Sequence, residues 1–518
     1  MTTTYRIGID VGGTNTDAAL LDQYDAVLAK TKTFTTPDIL SGIQTALETV
    51  LADSQVNPSQ ITHAMLGTTQ ATNAIVERKS LDKVVTLRLA GPTTQAITPL
   101  TNWPKDLVDV INDGTYLLAG GLEYDGSEIE SIDLTQIDDI LGRHKSAQHF
   151  AISGVFSPVN RMQEQRVRDY ILAKRHHAHV TISSEIGSLS LLERENATIL
   201  NVALQSVMKN VINGFTQALK QLGVTDTQVY LSQNDGTLMT TDYAQKFPVL
   251  TIASGPTNSI RGGVYLTQQT QAIILDIGGT TSDLGMVQNG LPRETSNEST
   301  IGGVVTNFRM PDIVSVAIGG GTIVREIEGE IKLGPDSVGH ELGNRAKVFG
   351  GDTLTLSDIA IRLGVVDFGD ASLVADIDES FAQRAFAKVR QTITDAIDLV
   401  RVNSEPVNLI LVGGGSVVIP HDYDNVANIL EPDNYDVANA IGASIAKVSG
   451  TEEVLVSFAK IPRHEAIEQA RLVASQQAIA AGGDENTLEV VEIEEFPIAY
   501  HPDKAVNLRV KVVGDLVK

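Results

Sequence analysis

The sequence predicts an α/β protein built from two related lobes, with a small α+β segment at its C-terminus. Two observations predict this fold. Apolar strand patterns alternate with helical patterns along most of the 518 residues. In addition, one eight-residue pattern starts at residue 10 and again at residue 276, each time directly after a strand pattern. Strands that alternate with helices form mainly parallel sheets. Because the same pattern follows a strand in two parts of the chain, we expect two related α/β lobes.

The first predicted domain spans residues 1–185. A hairpin-like alternation over residues 5–35 precedes a helix pattern over residues 39–51, in which Ile43, Leu47 and Val50 share one face. Strand patterns follow at residues 63–66, 84–89, 150–156 and 180–182. The polar stretch SSEIGSLS (183–190) marks the end of this domain.

The second predicted domain spans residues 186–450 and the C-terminal segment spans residues 451–518. Long helical patterns cover residues 197–222 and 380–400, and a third covers residues 465–481 before strands that begin near residue 488. Near residue 194, we interpret Glu193, Arg194 and Glu195 as a charge cluster at the start of a helix.

The composition excludes several classes of function. The net charge is −25, and nucleic acids and anionic membranes require clustered Lys and Arg, so we expect neither as a partner. The absence of cysteine excludes disulfides, thiol nucleophiles and cysteine-ligated metals. The N-terminus MTTTYR has no signal-peptide pattern, and no apolar run reaches the roughly 18–20 residues that span a bilayer, so we expect a cytoplasmic protein.

The repeated pattern is the main clue to chemistry. Residues 10–17 read DVGGTNTD and residues 276–283 read DIGGTTSD, with five of eight positions identical. A glycine turn alone needs neither the preceding acid nor the following threonine. Glycines let the backbone approach an anion, hydroxyls donate to phosphate oxygens, and a carboxylate can hold Mg²⁺, directly or through water. The two copies therefore predict a clamp on one polyphosphate.

A third glycine-rich turn, residues 413–415, follows the strand pattern 407–412 and suits the close passage of a flat ligand such as adenosine. The small-residue helix pattern 437–444 then permits close helix packing. We assign Asp10 and Asp276 as the catalytic, Mg²⁺-linked carboxylates. Asp17 and Asp283 could each hold a hydroxyl or cap the loop, and we favour the capping role. The candidate nucleotide contacts are the small residues of the three turns: Gly12, Gly13, Thr14, Asn15, Thr16, Gly278, Gly279, Thr280, Thr281, Gly413, Gly414 and Gly415.

The order of these motifs resembles the actin, sugar-kinase and heat-shock-chaperone ATPase superfamily. The resemblance implies duplicated, ribonuclease H-like lobes that close over a nucleotide in the cleft between them. It also implies ATP and Mg²⁺ as cofactors.

Longer blocks resemble one family more narrowly, the hydantoinase/oxoprolinase family, from about residue 4 to about residue 450. The blocks are LGTTQATNAIVERK (66–79), LLERENATILN (191–201), SGPTNSIRGG (254–263) and IGGGTIVREIEGEIKLGPDSVGHELG (318–343). Near the end, FPIAYHPDKAVNLRVKVVGDL (496–516) is similar to the shorter, separately encoded ATP-binding subunits of that family.

This resemblance implies ATP-dependent opening of cyclic amides such as hydantoins, 5-oxoproline or lactams, by phosphorylation of the amide oxygen before hydrolysis. It also implies a second subunit, and we expect an oligomer. By matching its motifs, the resemblance assigns eight substrate contacts: Gly67, Thr68, Thr69, Asn73, Ser254, Gly255, Asn258 and Arg261.

The sequence also departs from the family pattern. The family's SGPAGG reads SGPTNS here, and Leu66 stands where members commonly have histidine before Gly-Thr-Thr. We expect Asn258 and Arg261 to favour a polar or anionic substituent on the ring.

Three other functions stay open on the sequence alone. Two are enzymatic, an ATP-dependent carboxylase subunit and a small-molecule kinase, and the third is a nucleotide-switched scaffold without enzymatic activity. The blocks at 254–263 and 318–343 favour the cyclic amidohydrolase, because a bare nucleotide switch has no need of them.

Overall fold

The computed structural model describes residues 4–35, 39–187, 189–295, 299–498 and 505–517. Residues 499–504 of the C-terminal family block lie outside the described residues. The strands are β1 (Tyr5–Val11), β2 (Asn15–Asp22), β3 (Val27–Phe34), β4 (Ile61–Thr68), β5 (Val84–Leu89), β6 (Asn112–Leu118), β7 (His149–Gly154), β8 (His179–Ile182), β9 (Gln228–Ser232), β10 (Leu238–Thr240), β11 (Ala272–Ile277), β12 (Ser282–Gln288), β13 (Leu291–Pro292), β14 (Glu294–Thr295), β15 (Ser299–Ile301), β16 (Val304–Thr306), β17 (Met310–Pro311), β18 (Ile313–Val316), β19 (Thr322–Ile327), β20 (Glu330–Ser337), β21 (Val407–Val412), β22 (Val426–Leu430), β23 (Val448–Ser457), β24 (Glu489–Pro497) and β25 (Ala505–Gly514). The helices are α1 (Ile39–Ser54), α2 (Gln70–Glu77), α3 (Lys105–Ile111), α4 (Leu134–Arg143), α5 (Met162–Lys174), α6 (Leu191–Ala203), α7 (Gln205–Gln221), α8 (Thr241–Lys246), α9 (Ser254–Thr267), α10 (Leu342–Arg345), α11 (Leu356–Arg362), α12 (Glu379–Val400), α13 (Ala438–Ser444) and α14 (Arg463–Ala480).

The first large sheet contains the first copy of the repeated pattern. Within the described residues it has nine strands in the order β24-β25-β23-β10-β9-β4-β1-β2-β3. The central hairpin β1–β2 is antiparallel, and β4 lies parallel to β1 on its other side. The apolar side chains of these strands, such as Ile9 and Leu20, pack against α1 and α7 in one buried core.

The second large sheet repeats this arrangement. The hairpin β11–β12 is antiparallel, β21 lies parallel to β11, and β18 pairs with β12 on the far side. Leu275, Leu284 and Leu411 pack with α11 and α12 in a second core. Each lobe thus has a hairpin followed by a parallel strand, which confirms the duplicated actin-like α/β fold that the motif order predicts.

Two further regions complete the chain. The sheet β6-β5-β7-β8 is parallel throughout. Its apolar side chains, such as Leu87 and Ile152, pack with α4 and α5 in a separate core. The C-terminal segment is α+β as predicted, and it extends the first sheet because β23 pairs with β10.

The sheets connect distant parts of the chain. Strands from all three predicted domain ranges, 1–185, 186–450 and 451–518, meet in the nine-stranded sheet. The boundaries at residues 185 and 450 stay a prediction, since sheet membership alone does not define where a domain ends.

One local prediction needs correction. The helix pattern 197–222 is interrupted at Leu204, so that α6 and α7 are separate helices. The charged residues near residue 194 lie at the start of α6 as predicted, and the structure adds that Arg194 and Glu195 are buried. Glu195 pairs with Arg88 of β5, and this non-local ion pair compensates for its removal from water. Among the described residues, no helix is both long and apolar enough to cross a membrane.

Candidate functional site

The two copies of the repeated pattern form the same turn. The backbone N–H of Gly12 donates to the carbonyl of Asn15 at 2.9 Å, and that of Gly278 donates to the carbonyl of Thr281 at 2.9 Å. In both hairpins the first aspartate lies directly opposite the last one across the strand pair, Asp10 opposite Asp17 and Asp276 opposite Asp283. The sequence repeat is therefore also a structural repeat.

The two turns lie against each other. A Cβ placed on Gly279 of the second turn would lie 2.9 Å from Cγ2 of Thr14 in the first turn, so only glycine fits there without a shift. The glycine run 319–321 supports the second turn, since the N–H groups of Gly320 and Gly321 donate to the carbonyls of Gly278 and Gly279 at 3.2 and 2.7 Å.

Asp10 is only 4% exposed, at the end of β1. Asn258 Nδ2 donates to its Oδ1 and Asn439 Nδ2 donates to its Oδ2, each at 3.1 Å. Burial, together with the charges of Asp17 and Asp276, raises the pKa of Asp10 to about 6, and the hydrogen bonds from Asn258 and Asn439 offset part of the rise. Both hydrogen-bond donors to Asp10 are neutral amides, so neither compensates the negative charge of its carboxylate.

Asp276 is the corresponding carboxylate of the second lobe. Ser259 Oγ donates to its Oδ2 at 2.5 Å, and burial raises its pKa. Gly413 follows the neighbouring strand β21 with a positive φ of 84°, and a Cβ at that position would overlap Asp276 Oδ1. The third glycine-rich turn therefore lies beside Asp276.

Helices α9 and α13 bring the amide donors to Asp10. The helices cross at glycines, because a Cβ on Gly262 would overlap the carbonyl of Ala438, and one on Gly442 would overlap the carbonyl of Asn258. This close approach, which the small-residue pattern 437–444 predicts, places Asn258 and Asn439 on the same carboxylate.

Asp17 and Asp283 do not cap their turns, contrary to the prediction. Both lie inside strands, and their side chains bond outward to the next strand of the sheet. Asp17 accepts from Lys32 Nζ at 2.6 Å and from Asn439 Nδ2 at 2.7 Å, whereas Asp283 accepts from Ser315 Oγ. Burial raises the pKa of both, that of Asp283 to about 6.

The seventh position of each pattern supports its turn from inside. Thr16 and Ser282 are fully buried. The Thr16 hydroxyl lies 3.2 Å from that of Thr35, and the Ser282 hydroxyl donates to the carbonyl of Ile318 at 2.7 Å. The more accessible residues Gly13, Thr14, Thr280 and Thr281 are better placed to meet a ligand.

Several of the predicted substrate residues lie close to Asp10. Gly67 lies opposite Asp10 on β4, and a Cβ there would overlap Asp10 Oδ1. A Cβ on Gly255 would lie 3.8 Å from Asp10 Oδ2 and 3.8 Å from Cγ2 of Thr69. The start of α9 and the end of β4 thus enclose this carboxylate.

Other predicted substrate residues form hydrogen bonds near the same carboxylate. Ser254 Oγ donates to the carbonyl of Thr68 at 3.4 Å, and Asn73 Nδ2 donates to Thr69 Oγ1 at 3.3 Å. Arg261 is placed differently, because its side chain packs against Gly236 and its Nη2 donates to the carbonyl of Ile445 at 3.5 Å. This placement gives no support to a contact between Arg261 and a ring substituent.

The residues near the two turns fit a divalent cation of the kind that keeps most of its water. Among the described residues, no group of three or more His, Asp or Glu side chains could hold a metal by itself. Mg²⁺, however, commonly binds through one or two carboxylates together with water and phosphate oxygens. Buried Oδ1 of Asn258, beside Asp10, has no hydrogen-bond donor within the described part of the chain, and a metal-bound water could supply one.

Sequence reasoning missed three residues of this site. Ser259, Asn439 and Lys32 each bond to an aspartate of the repeated pattern. Ser259 and Asn439 lie within segments that the sequence singled out, whereas no local signal distinguishes Lys32 from other strand lysines.

A separate cleft of about 870 Å³ lies between the C-terminal strands and the loop 233–237. None of the predicted site residues lines it. Two of its lining residues, Asp235 and Glu294, pair with the buried Lys511 Nζ at 2.9 and 3.0 Å.

Two family models match the chain. The model of the hydantoinase/oxoprolinase N-terminal region matches residues 6–174, and the hydantoinase/oxoprolinase model matches residues 194–400.

Individual relatives agree with these matches. An uncharacterized protein of Methanocaldococcus jannaschii is 26% identical over 428 residues, 76% of this chain and 62% of that protein. Caprolactamase subunit alpha of Pseudomonas jessenii is 25% identical over 479 residues, 87% of this chain and 68% of that subunit. The chain thus spans about two thirds of the length of these relatives.

Solved structures share the fold over almost the whole chain. The ATP-dependent caprolactamase of Pseudomonas jessenii superposes with a TM-score of 0.77 at 20% identity, covering 99% of this chain and 88% of that one. Acetone carboxylase superposes with a TM-score of 0.71 at 18% identity and the same coverage.

Proposed function

The chain belongs to the hydantoinase/oxoprolinase family, and we propose that it is the ATP-binding subunit of an ATP-dependent cyclic amidohydrolase. Its substrates are cyclic amides such as hydantoins, 5-oxoproline or lactams, which it phosphorylates on the amide oxygen. The similarity to caprolactamase subunit alpha over 87% of this chain supports this substrate class.

One observation carries the proposal: the two equivalent turns meet, and a single helix contacts the first aspartate of both. Thr14 lies against Gly279, while neighbouring residues of α9, Asn258 and Ser259, donate to Asp10 and Asp276. Two glycine turns facing each other offer backbone N–H groups to one polyphosphate from both sides. This pairing supports the binding of ATP between them.

The glycine turn at 413–415 supports the rest of the nucleotide. It follows β21 beside Asp276, and the exposed Gly414 presents backbone without a side chain. A flat adenosine group can approach such a surface closely. We therefore assign the phosphates to the two repeated turns and the nucleoside to the third.

The proposed chemistry removes the resonance that protects the amide. The γ-phosphorus of ATP loses its bond to the β–γ bridging oxygen, gains one to the amide oxygen, and ADP leaves. Water then adds to the former carbonyl carbon, and the ring C–N bond breaks with its electron pair and a proton on nitrogen. A second water releases phosphate from the resulting acyl phosphate. One ATP, one ring and two waters give ADP, phosphate and the opened amino acid.

Asp10 and Asp276 act in the first of these steps. Their carboxylates would hold Mg²⁺, which neutralises charge on the phosphates when it is bound. Asn258, Asn439 and Ser259 fix the orientation of the carboxylates before ATP arrives. Preorganised groups of this kind stabilise developing charge without reorganising during the reaction.

We assign the hydrolytic steps to a second subunit. The name of caprolactamase subunit alpha indicates that this enzyme has at least one other subunit, and the similarity covers 68% of subunit alpha. We expect the chain to bind ATP by itself and to open rings poorly without its partner.

The test is a phosphate-release screen with the purified chain, alone and in the complex recovered by affinity purification from its native source. Hydantoin, 5-oxoproline, caprolactam and acetone are supplied with MgATP, and products are identified by mass spectrometry. We expect phosphate release that requires a cyclic amide and yields the ring-opened acid. Accumulation of a stable phosphorylated product would instead identify a kinase.

The same screen examines the second candidate, an ATP-dependent carboxylase subunit, which the fold similarity to acetone carboxylase favours. Phosphate release that requires both a ketone and bicarbonate would establish it. ATP turnover that no added substrate changes would favour a nucleotide-switched scaffold.

A further inference from the structure

We propose that Lys32 binds the terminal phosphate of ATP and that it makes the two lobes chemically unequal. The inference rests on the proposed function, since it requires ATP between the two glycine turns. It concerns a residue that no sequence motif identifies, on the third strand of the first sheet.

The starting point is the register of three neighbouring strands. In the first lobe, Asp10 lies opposite Asp17, and Asp17 lies opposite Lys32. In the second lobe, Asp276 lies opposite Asp283, and Asp283 lies opposite Ser315. Lys32 and Ser315 therefore occupy equivalent positions of the duplicated fold.

The two lobes differ at this position by one positive charge. Lys32 Nζ donates to Asp17 Oδ1 at 2.6 Å, whereas Ser315 Oγ donates to Asp283. Burial raises the pKa of both carboxyl groups, that of Asp283 to about 6, and the ammonium of Lys32 offsets part of the rise at Asp17. The cation of the first lobe thus has no counterpart at the matching position of the second.

Lys32 also lies where the first lobe meets the nucleotide turn. A Cβ on Gly414 would lie 3.5 Å from Cε and 3.6 Å from Cδ of Lys32. The side chain is 26% exposed, whereas that of its partner Asp17 is 3% exposed. The methylene groups of Lys32 therefore pass beside the exposed Gly414, and the ammonium ends on Asp17, which lies opposite Asp10 beside the first glycine turn.

The surroundings of the two turns are acidic, so a cation here would favour the binding of a polyphosphate. Asp10, Asp17, Asp276 and Asp283 surround the two turns and would repel a polyphosphate. An ammonium has three N–H donors, of which one serves Asp17, and it can turn others towards a phosphate oxygen.

A purely structural role is the competing explanation, in which Lys32 only neutralises the buried Asp17. The two roles differ in what depends on the number of phosphates. A residue on the terminal phosphate discriminates ATP from ADP, whereas a structural ion pair affects both nucleotides equally. The two roles also predict different results when the charge of Asp17 is removed from the Lys32→Ala variant. This second change would restore nucleotide binding only if Lys32 has a structural role.

The experiment measures dissociation constants of MgATP and MgADP by calorimetry for the full chain and three variants. The variants are Lys32→Ala, the double variant Lys32→Ala with Asp17→Asn, and Lys30→Ala. Lys30 is the matched control, since it lies two residues away on β3 and pairs with Asp436 at 2.6 Å near the surface. Circular dichroism and thermal melting confirm folding of each variant.

We expect Lys32→Ala to weaken MgATP binding about tenfold or more and MgADP binding by less than about threefold, in line with a lost charge-assisted hydrogen bond. The double variant should stay weak for MgATP, and Lys30→Ala should match the wild type.

Equal weakening for both nucleotides, or recovery of MgATP binding in the double variant, would overturn the assignment of Lys32. So would unchanged affinities in a folded Lys32→Ala protein. If the wild-type chain binds neither nucleotide, the proposed function fails first and this inference fails with it.

Discussion

Asn258 Nδ2 lies 3.1 Å from Oδ1 of Asp10, so helix α9 is bonded to the first strand of the chain across 248 positions of sequence. The next residue of the helix, Ser259, donates to Asp276 at 2.5 Å. Consecutive residues of one helix therefore hold the equivalent carboxylates of the two lobes. Helix α9 thus links the two turns directly.

The first prediction concerns these two carboxylates. We expect Asp10→Asn and Asp276→Asn each to lower ATPase activity about 100-fold or more, because charge stabilisation of a transferring phosphoryl group is lost. Each variant should keep the fold, since asparagine has the size of aspartate. Steady-state phosphate release and circular dichroism measure both effects. Asp53→Asn, at an exposed position of α1, is the control and should be fully active. Full activity of either site variant would contradict the two-turn clamp.

The second prediction is a pH dependence of stability. Burial raises the pKa of Asp10 from 3.8 to about 6, so the folded chain binds this proton more tightly than the unfolded chain. The contribution of Asp10 to the free energy of unfolding is therefore full below pH 3.8 and is lost as the pH rises through about 6.

Urea unfolding of wild type and Asp10→Asn between pH 3.5 and pH 7 measures this effect. Relative to the variant, the wild type should lose about 3 kcal/mol over that window, at about 1.4 kcal/mol per pKa unit. A difference that stays constant with pH would show that Asp10 titrates alike in both states.

The third prediction tests the crossing of α9 and α13. Gly442→Ala should destabilise the protein by about 1–3 kcal/mol or more, because the new Cβ overlaps the carbonyl of Asn258 and separates the helices. ATP binding should weaken as well, since Asn258 and Asn439 both move away from Asp10. Thermal melting and calorimetry report the two effects.

The matched control for this crossing is Gly142→Ala. Gly142 lies in α4 with no atom within 4 Å of an added Cβ, so alanine should leave stability unchanged or raise it by up to about 1 kcal/mol. If the two alanine variants behave alike, the close helix crossing is not what Gly442 provides.

The fourth prediction concerns the buried ion pair between Arg88 and Glu195, which are 0% and 1% exposed. Arg88 Nε donates to Glu195 Oε2 at 2.8 Å, and Ser153 Oγ donates to the same oxygen at 2.6 Å. Glu195→Gln leaves the guanidinium buried without a counter-charge and should cost about 3–5 kcal/mol in the free energy of unfolding.

The exposed pair between Arg325 and Asp336 is the control for burial. Asp336→Asn removes a surface ion pair and should cost less than about 1 kcal/mol. Denaturant unfolding of both variants measures the contrast, and equal losses would mean that the burial of Glu195 does not determine the cost.

The sequence by itself determined the local parts of this protein. A strand, a Gly-Gly turn and the flanking Asp and Thr are encoded in consecutive residues, so the repeat of residues 10–17 at 276–283 identified both turns. The duplicated α/β fold was expected from the same repeat, because each copy comes directly after a strand pattern. The small-residue pattern at 437–444 likewise predicted close packing, since only side-chain size matters there.

Only the tertiary structure decided which residues serve the turns. Lys32 meets Asp17 through strand register, and Asn439 meets Asp10 through a helix crossing, and neither relationship leaves a mark in consecutive residues. For the same reason Asp17 was expected to cap a turn, and no local pattern indicated that Glu195 is buried. Partners far apart in sequence decide burial and pairing, because charged groups in the interior are stable only where folding supplies counter-charges or hydrogen-bond donors.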